Sequence, residues 1–268
     1  MNETDRNYRY NGGSNYYVDP APIVNYHELS KHKKELLCKN VPHSFEHIPR
    51  KNISYMEIWE TGELSEEECN ENELLRAIFH RKTEWDFSGQ PIGFEEMKKI
   101  LKFSFGGLYK TFNGKEIRKR TYPSGGGLNS VMPYILVNSV EGFVRGDLLM
   151  FDGENNSIKL VSRGKDLHKM DDHTSLTYSK MRSFSGASAF IFFTADLKQI
   201  VPKYGLLSYR LQQLEAGHMA ENLSLMLSMY GYNCVPIGGF FEDDLNSYLD
   251  ITKYDQTVLY FYAIGKGQ

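Results

Sequence analysis

The clearest periodic pattern in the chain runs from Leu206 to Tyr230. Leu207, Leu211, Leu214, His218, Leu225 and Met229 recur at three, four or seven residues, the interval of one helical face. The pattern predicts a long helix ended by Gly231. Its small residues Ala216, Gly217 and Ala220 would let another backbone approach closely. A second helical pattern, "IGFEEMKKILKFSFGG", is closed by Gly106 and Gly107. An acidic stretch, "ELSEEECNENELLRAIFH", predicts a helix ending near His80, with Ser65 as N-cap and Glu68 completing a capping box.

The strand patterns are shorter. "SAFIFFTAD" is a continuous apolar run between polar residues, which suits a buried central strand. "VMPYILVNSV" and, at the C-terminal end, "VLYFYAIG" are further strands. "LLMFDGENNSIKLV" reads as a hairpin, with turn residues at Asp152-Gly153 and Asn155-Asn156. Residues 1–70 are polar, rich in Asn and Tyr and without apolar period; they are expected to form an extension that wraps or docks on a domain spanning 71–268. Helices and strands mix without regular alternation, which favours an α+β class.

Composition narrows the function. The 268 residues are 41% hydrophobic and 24% charged, and the net charge of -3 gives no basis for general nucleic-acid binding. Any anion site must be local. No apolar run is long enough to span a bilayer, and the first residues lack the apolar middle of a signal peptide, so no membrane association is expected. Three scattered cysteines argue for a reducing, cytoplasmic setting. His43 and His47 have helical metal-ligand spacing, but without further ligands they read as a solvated pair, and no metal site is expected.

Four segments could carry chemistry. "IRKRTYPSGGGLNS" joins cations to consecutive glycines, whose backbone N–H groups can approach an anion; a surface turn is an equal reading. "FHRKTEWDF" places Arg81, Lys82 and Thr83 where they could hold a phosphate or merely decorate a helix end. "NCVPIGGFFEDD" offers bare backbone at Gly238 and Gly239, or an ordinary loop. In "VPKYG", Lys203 adjoins Tyr204; an ammonium favours a phenolate, so the pair could accept a proton, although an exposed Lys beside a packed Tyr is the commoner case.

Order and spacing of these segments resemble the nitroreductase-like flavoproteins, and more narrowly the SagB-type azoline dehydrogenases of peptide natural-product pathways. The resemblance rests on "YHELSK" at Tyr26–Lys31, "RKT" before "FEEMKKIL", "RTYPSGGGL", "KYGLLSYRLQQLEAGHMAENL" and "VPIGGF". It runs from about Tyr26 to Gly265. The resemblance implies a three-layer α+β sandwich with a mainly antiparallel sheet and FMN bound at a homodimer interface. It implies that Arg81, Lys82 and Thr83 hold the phosphate and ribityl end, and that Pro123, Ser124, Gly125 and Gly126 line the flavin with Arg120 in support. It further implies that Gly238 and Gly239 face the reactive edge and that Lys203 and Tyr204 are catalytic. Lys266 is the late cation left for the phosphate. The family departures are Gly127, Asn129 and Ser130 at the turn, and Trp85 where relatives often have Arg.

The implied reaction is oxidation of a thiazoline or oxazoline in a modified precursor peptide, with oxygen regenerating the flavin and a cyclodehydratase as partner. Three rivals share the scaffold: an NAD(P)H-dependent nitro- or quinone reductase, a non-catalytic flavoprotein that stabilises a heterocyclase complex, and a dehydrogenase of carrier-bound azolines in nonribosomal synthesis.

Overall fold

The computed structural model describes residues 21–31, 65–174, 176, 183–252 and 255–268. The pair His43 and His47 lies outside them. The first described element is helix α1 (Ala21–Ser30). The acidic stretch forms two helices rather than one, α2 (Glu66–Cys69) and α3 (Glu73–His80). The capping box is present: the Ser65 hydroxyl accepts from the Glu68 N–H, and the Glu68 carboxylate accepts from the Ser65 N–H. The break comes at Asn72, whose side chain accepts from the Leu75 N–H at 3.0 Å and so starts a new helix.

Helix α4 (Phe94–Phe105) follows, with Glu95 and Glu96 in its first turn and Lys102 in its last, both favoured by the helix dipole. It leads into a two-stranded ribbon, β1 (Gly107–Phe112) and β2 (Lys115–Arg120), which the charged sequence "KEIRKR" conceals. The main sheet contains β3 (Val131–Val137), β4 (Leu148–Asp152), β5 (Ser157–Ser162), β6 (Ala189–Asp196), β7 (Tyr232–Ile237) and β8 (Gln256–Lys266). Between β6 and β7 lie α5 (Val201–Tyr204) and the long α6 (Leu207–Met229); α7 (Glu242–Tyr248) precedes β8. The strand order is β5-β4-β3-β6-β8-β7, with every neighbouring pair antiparallel.

Strand β6 is buried on both faces, as its apolar run requires. Ile191, Phe193 and Ala195 face α4 and α6, where they meet Met97, Phe105, Met219 and Leu223. Phe190 and Phe192 face the opposite layer, with Phe261 of β8 and Leu245 of α7. Helices on both faces of one antiparallel sheet make this a three-layer α+β sandwich.

The helical spacing left the orientation of α6 open, and the structure decides it. The core face of α6 carries Ser208, Gln212, Glu215, Ala216, Met219, Ala220, Leu223, Ser224 and Leu227. The leucine stripe points outward, with Leu206 at 55%, Leu207 at 44%, Leu214 at 52% and Met229 at 52% exposure. Ala216 and Ala220 admit the sheet, whereas Gly217 is exposed with open space beside it.

Candidate functional site

The glycine turn is tied to α6 by a buried carboxylate. Gly125–Gly127 form one 3-10 turn in which Gly126 (φ 60°) and Gly127 (φ 69°) are left-handed, a conformation that explains glycine at both. Glu215, 2% exposed, accepts from the Ser124 hydroxyl (2.7 Å), the Ser130 hydroxyl (3.2 Å) and the Val131 N–H (3.0 Å). Ser124 in turn accepts from the Asn129 N–H at 2.8 Å, so its hydroxyl organises the turn. His218 Nδ1 donates to the Pro123 carbonyl at 3.2 Å, and Asn222 donates to the Thr121 carbonyl at 3.1 Å. Glu215, His218 and Asn222 stand three and four residues apart, one stripe of α6 gripping one loop. Arg120 donates to the Gly153 carbonyl and also bonds Tyr122, anchoring the start of the loop to the β4–β5 hairpin. Burial, then the nearby Glu215 charge, raises the Tyr122 phenol pKa.

Against this turn lie Lys203 and Tyr204, carried on α5. Lys203 Nζ is 5.2 Å from the centroid of the Tyr204 ring. A methyl group added at Gly126 would overlap the Tyr204 hydroxyl and sit 2.7 Å from Lys203 Nζ. One added at Gly125 would sit 3.1 Å from a Leu211 methyl. The glycines therefore let the turn close onto the Lys-Tyr pair. The α5–α6 corner is fixed by left-handed Gly205 (φ 53°) and by the Ser208 hydroxyl, which donates to the Gly205 carbonyl at 2.7 Å. Helix α1 braces it from outside. Its His27 lies 3.4 Å from the Tyr209 hydroxyl and 3.3 Å from the Thr257 hydroxyl, and its Lys31 pairs with Asp243 at 2.6 Å. Burial, then Lys31, lowers the His27 pKa.

The cationic corner sits toward the other end of α6. Arg81, Lys82 and Thr83 are exposed in an extended strap after α3. The strap covers the β7 edge: the Glu84 N–H donates to the Cys234 carbonyl at 3.0 Å, and Asn233 donates to the Asp86 carbonyl at 2.6 Å. Lys82 and Lys266, from opposite ends of the domain, line one cavity of about 670 Å³, together with Glu84, Asp86, Glu96 and Tyr232. The Tyr232 phenol donates to Glu96 at 2.5 Å. An adjoining cavity of about 370 Å³ is lined by His80, Lys82, Ser224, Ser228 and Cys234. Burial pushes the Cys234 thiol up to about 11, which keeps it protonated.

Gly238 follows β7 in the exposed backbone. Its φ is not left-handed, and a Cβ there would meet nothing within 4 Å. No part of the described protein demands glycine at this position. The open backbone there leaves room for a flat ligand such as a flavin ring.

Of the residues expected around one flavin, the structure brings Gly125, Gly126, Lys203 and Tyr204 into one cluster and Lys82 with Lys266 into another. Sequence reasoning misses the roles of Glu215, His218 and Asn222. Their three- and four-residue spacing was the signal, and it was masked by the outward leucines among them.

Residues 78–266 match the model of the family described as the nitroreductase family. A Methanocaldococcus jannaschii protein described as a candidate nitroreductase is 23% identical over 195 residues, covering 73% of this chain and 93% of its own. A candidate nitroreductase from Anabaena variabilis superposes with TM-score 0.59 at 25% identity over 73% of this chain; the match spans 38% of that longer chain. A chain of the E. coli microcin synthetase McbBCD complex, solved with truncated pro-MccB17 bound, superposes with TM-score 0.72 at 14% identity over 93% of both chains. At that identity the likeness is one of fold.

Proposed function

The chain belongs to the nitroreductase family of flavin-type oxidoreductases, and we propose that within it this protein is an FMN-dependent dehydrogenase that oxidises thiazoline or oxazoline rings of a modified peptide to azoles. The observation that carries the reading is the closure of the glycine turn onto Lys203 and Tyr204. A plain reductase takes its hydride from a nicotinamide and needs no protein base there. An azoline must lose a proton from Cα, and the Lys-Tyr pair supplies an acceptor. The microcin synthetase likeness lends support, because it extends over more of this chain than the 73% matched by the Anabaena protein.

FMN, when bound, supplies the two-electron acceptor for the Cβ hydride, with dioxygen restoring its oxidised form. Lys82 and Lys266 would hold its phosphate, with Arg81 and Thr83 alongside. Pro123, Ser124, Gly125, Gly126, Gly238 and Gly239 would place backbone against the ring, with Arg120 fixing the loop. Tyr204 Oη takes the Cα proton, which the adjacent C=N and carbonyl groups acidify. The Lys203 ammonium lies beside Tyr204, 5.2 Å from the ring centroid. As the C–H bonds at Cα and Cβ break, a C=C bond forms and the ring becomes aromatic.

The site is completed by a second copy of the chain. From Leu211, which touches the glycine turn, to Ser224, which lines the Lys82 cavity, is about 20 Å of helix. A two-fold mate seated on the outward leucines of α6 would bring the cations of one chain to the Lys-Tyr pair of the other. A precursor peptide and an azoline-forming cyclodehydratase are the corresponding partners.

The test is mass spectrometry of a cyclised peptide incubated with the protein, where each oxidised ring loses two hydrogens. Tyr204→Phe and Lys203→Ala should retain FMN and lose azole formation. Unchanged turnover in both variants would remove the assignment. The reductase reading draws on the two relatives described as candidate nitroreductases. It predicts instead that NAD(P)H bleaches the flavin rapidly without oxygen.

A further inference from the structure

The two edges of the main sheet are unlike. The β7 edge is covered by the strap at Glu84–Asp86, whereas β5 has a neighbour on one side only among the described residues. Next to β5 a slot of about 540 Å³ opens between α4 and the β4–β5 hairpin. Its floor is apolar: Phe94, Phe143, Phe151 and Ile158. The Phe94 and Phe143 rings pack at 5.5 Å, and Gly142 (φ 81°) leaves room for Phe94 to lie across the turn.

The rim is cationic. Lys98, Lys99 and Lys102 project from the outer face of α4. Lys98 pairs with Glu95 at 2.6 Å and lies 4.6 Å over the Phe94 ring. Among the described residues no carboxylate pairs with Lys99 or Lys102. Unpaired strand backbone, an apolar slot and two uncompensated ammonium groups thus share one corner. An extended segment can satisfy all three, since its backbone extends the ladder while alternate side chains fill the slot and meet the lysines.

We propose that this corner docks an acidic, extended stretch of the peptide substrate by strand addition to β5, with an aromatic or branched aliphatic side chain in the slot. The proposal rests on the reading above that the substrate is a peptide. Docking here holds the chain by a part that is not being oxidised, so rings at several positions can reach the flavin in turn.

The probe is a fluorescein-labelled synthetic peptide alternating Glu with Val around a central Phe, titrated by anisotropy against the flavin-loaded protein. It should bind saturably and weaken as salt is raised. Lys99→Glu combined with Lys102→Glu should weaken it about tenfold or more, and the paired Gln variant by less. A peptide with Pro in place of each Val loses every second backbone donor and the side chains for the slot, and should bind far more weakly. The flavin spectrum of each variant checks its fold. Overturning results are no saturable binding, equal binding by the Glu variant, equal binding of the Pro peptide, or binding only to anionic phosphatidylserine vesicles. If the probe binds as expected but no azoline is ever oxidised, the dehydrogenase reading fails and the docking corner stands. If a small free thiazoline is oxidised while the probe never binds, the reverse holds.

Discussion

At one end of α6, polar groups are engaged within the chain: Glu215 takes three hydrogen bonds, His218 and Asn222 hold the loop carbonyls, and Gly126 closes onto Tyr204. At the other end, Lys82 and Lys266 face a cavity that they share with Glu84, Asp86 and Glu96, and Arg81 and Thr83 lie in the open. The first end is preorganised and costs no rearrangement when ligand arrives. The second, on the function proposed above, would be assembled by its ligand. A flavin ring needs fixed geometry for hydride transfer, whereas a flexible phosphate tail needs only charge within reach.

The largest expected effect falls at the preorganised end. Tyr204→Phe should lower azole formation by about 10²- to 10⁴-fold while leaving FMN affinity unchanged, measured by turnover and by flavin titration. Glu215→Ala should follow. It strands buried donors from Ser124, Ser130 and Val131 and should cost about 3 kcal/mol or more of stability, read as a fall in Tm. Glu215→Gln should recover part of that loss.

Smaller effects sharpen the contrast from the other side. Lys82→Ala and Lys266→Ala should each weaken FMN about tenfold. Riboflavin, which lacks the phosphate, should bind all three proteins alike. Equal losses for both ligands would mean that these lysines do not serve the phosphate. The smallest effect concerns pH. His27 has a folded pKa below its unfolded value of 6.5. Its contribution to stability is therefore complete above about 6.5 and is lost as pH falls from there toward the folded value. Urea midpoints measured from pH 8 to pH 5 should drop less in His27→Gln than in the parent protein.

Much of the fold was legible because local chemistry decided it. The apolar run of β6 suits a central strand, and Ser65 with Glu68 forms the capping box that starts a helix. Asn72 carries an equally local signal, yet the acidic run read through it. The facing of α6 was not legible. Its outward leucines and its inward Met219, Leu223 and Leu227 both keep helical spacing, and spacing alone does not distinguish a core from an interface. Strand β7 was hidden by Pro236, which a sheet tolerates here because β7 is an edge. At the site, the glycines and the Lys-Tyr pair could be named from sequence. Glu215 could not, because a buried carboxylate without a cation looks like any surface acid until its three donors are in place.

On the function proposed above, the two ends of α6 together hold one flavin between paired chains. The most direct test is the titration of purified protein with FMN, followed by flavin absorbance and by mass in solution. The account predicts a yellow dimer carrying about one FMN per chain, and a flavin-free monomer when Leu207 and Leu214 are both changed to Glu. A well-folded protein that stays colourless with excess FMN, or a monomer that binds FMN fully, would contradict it.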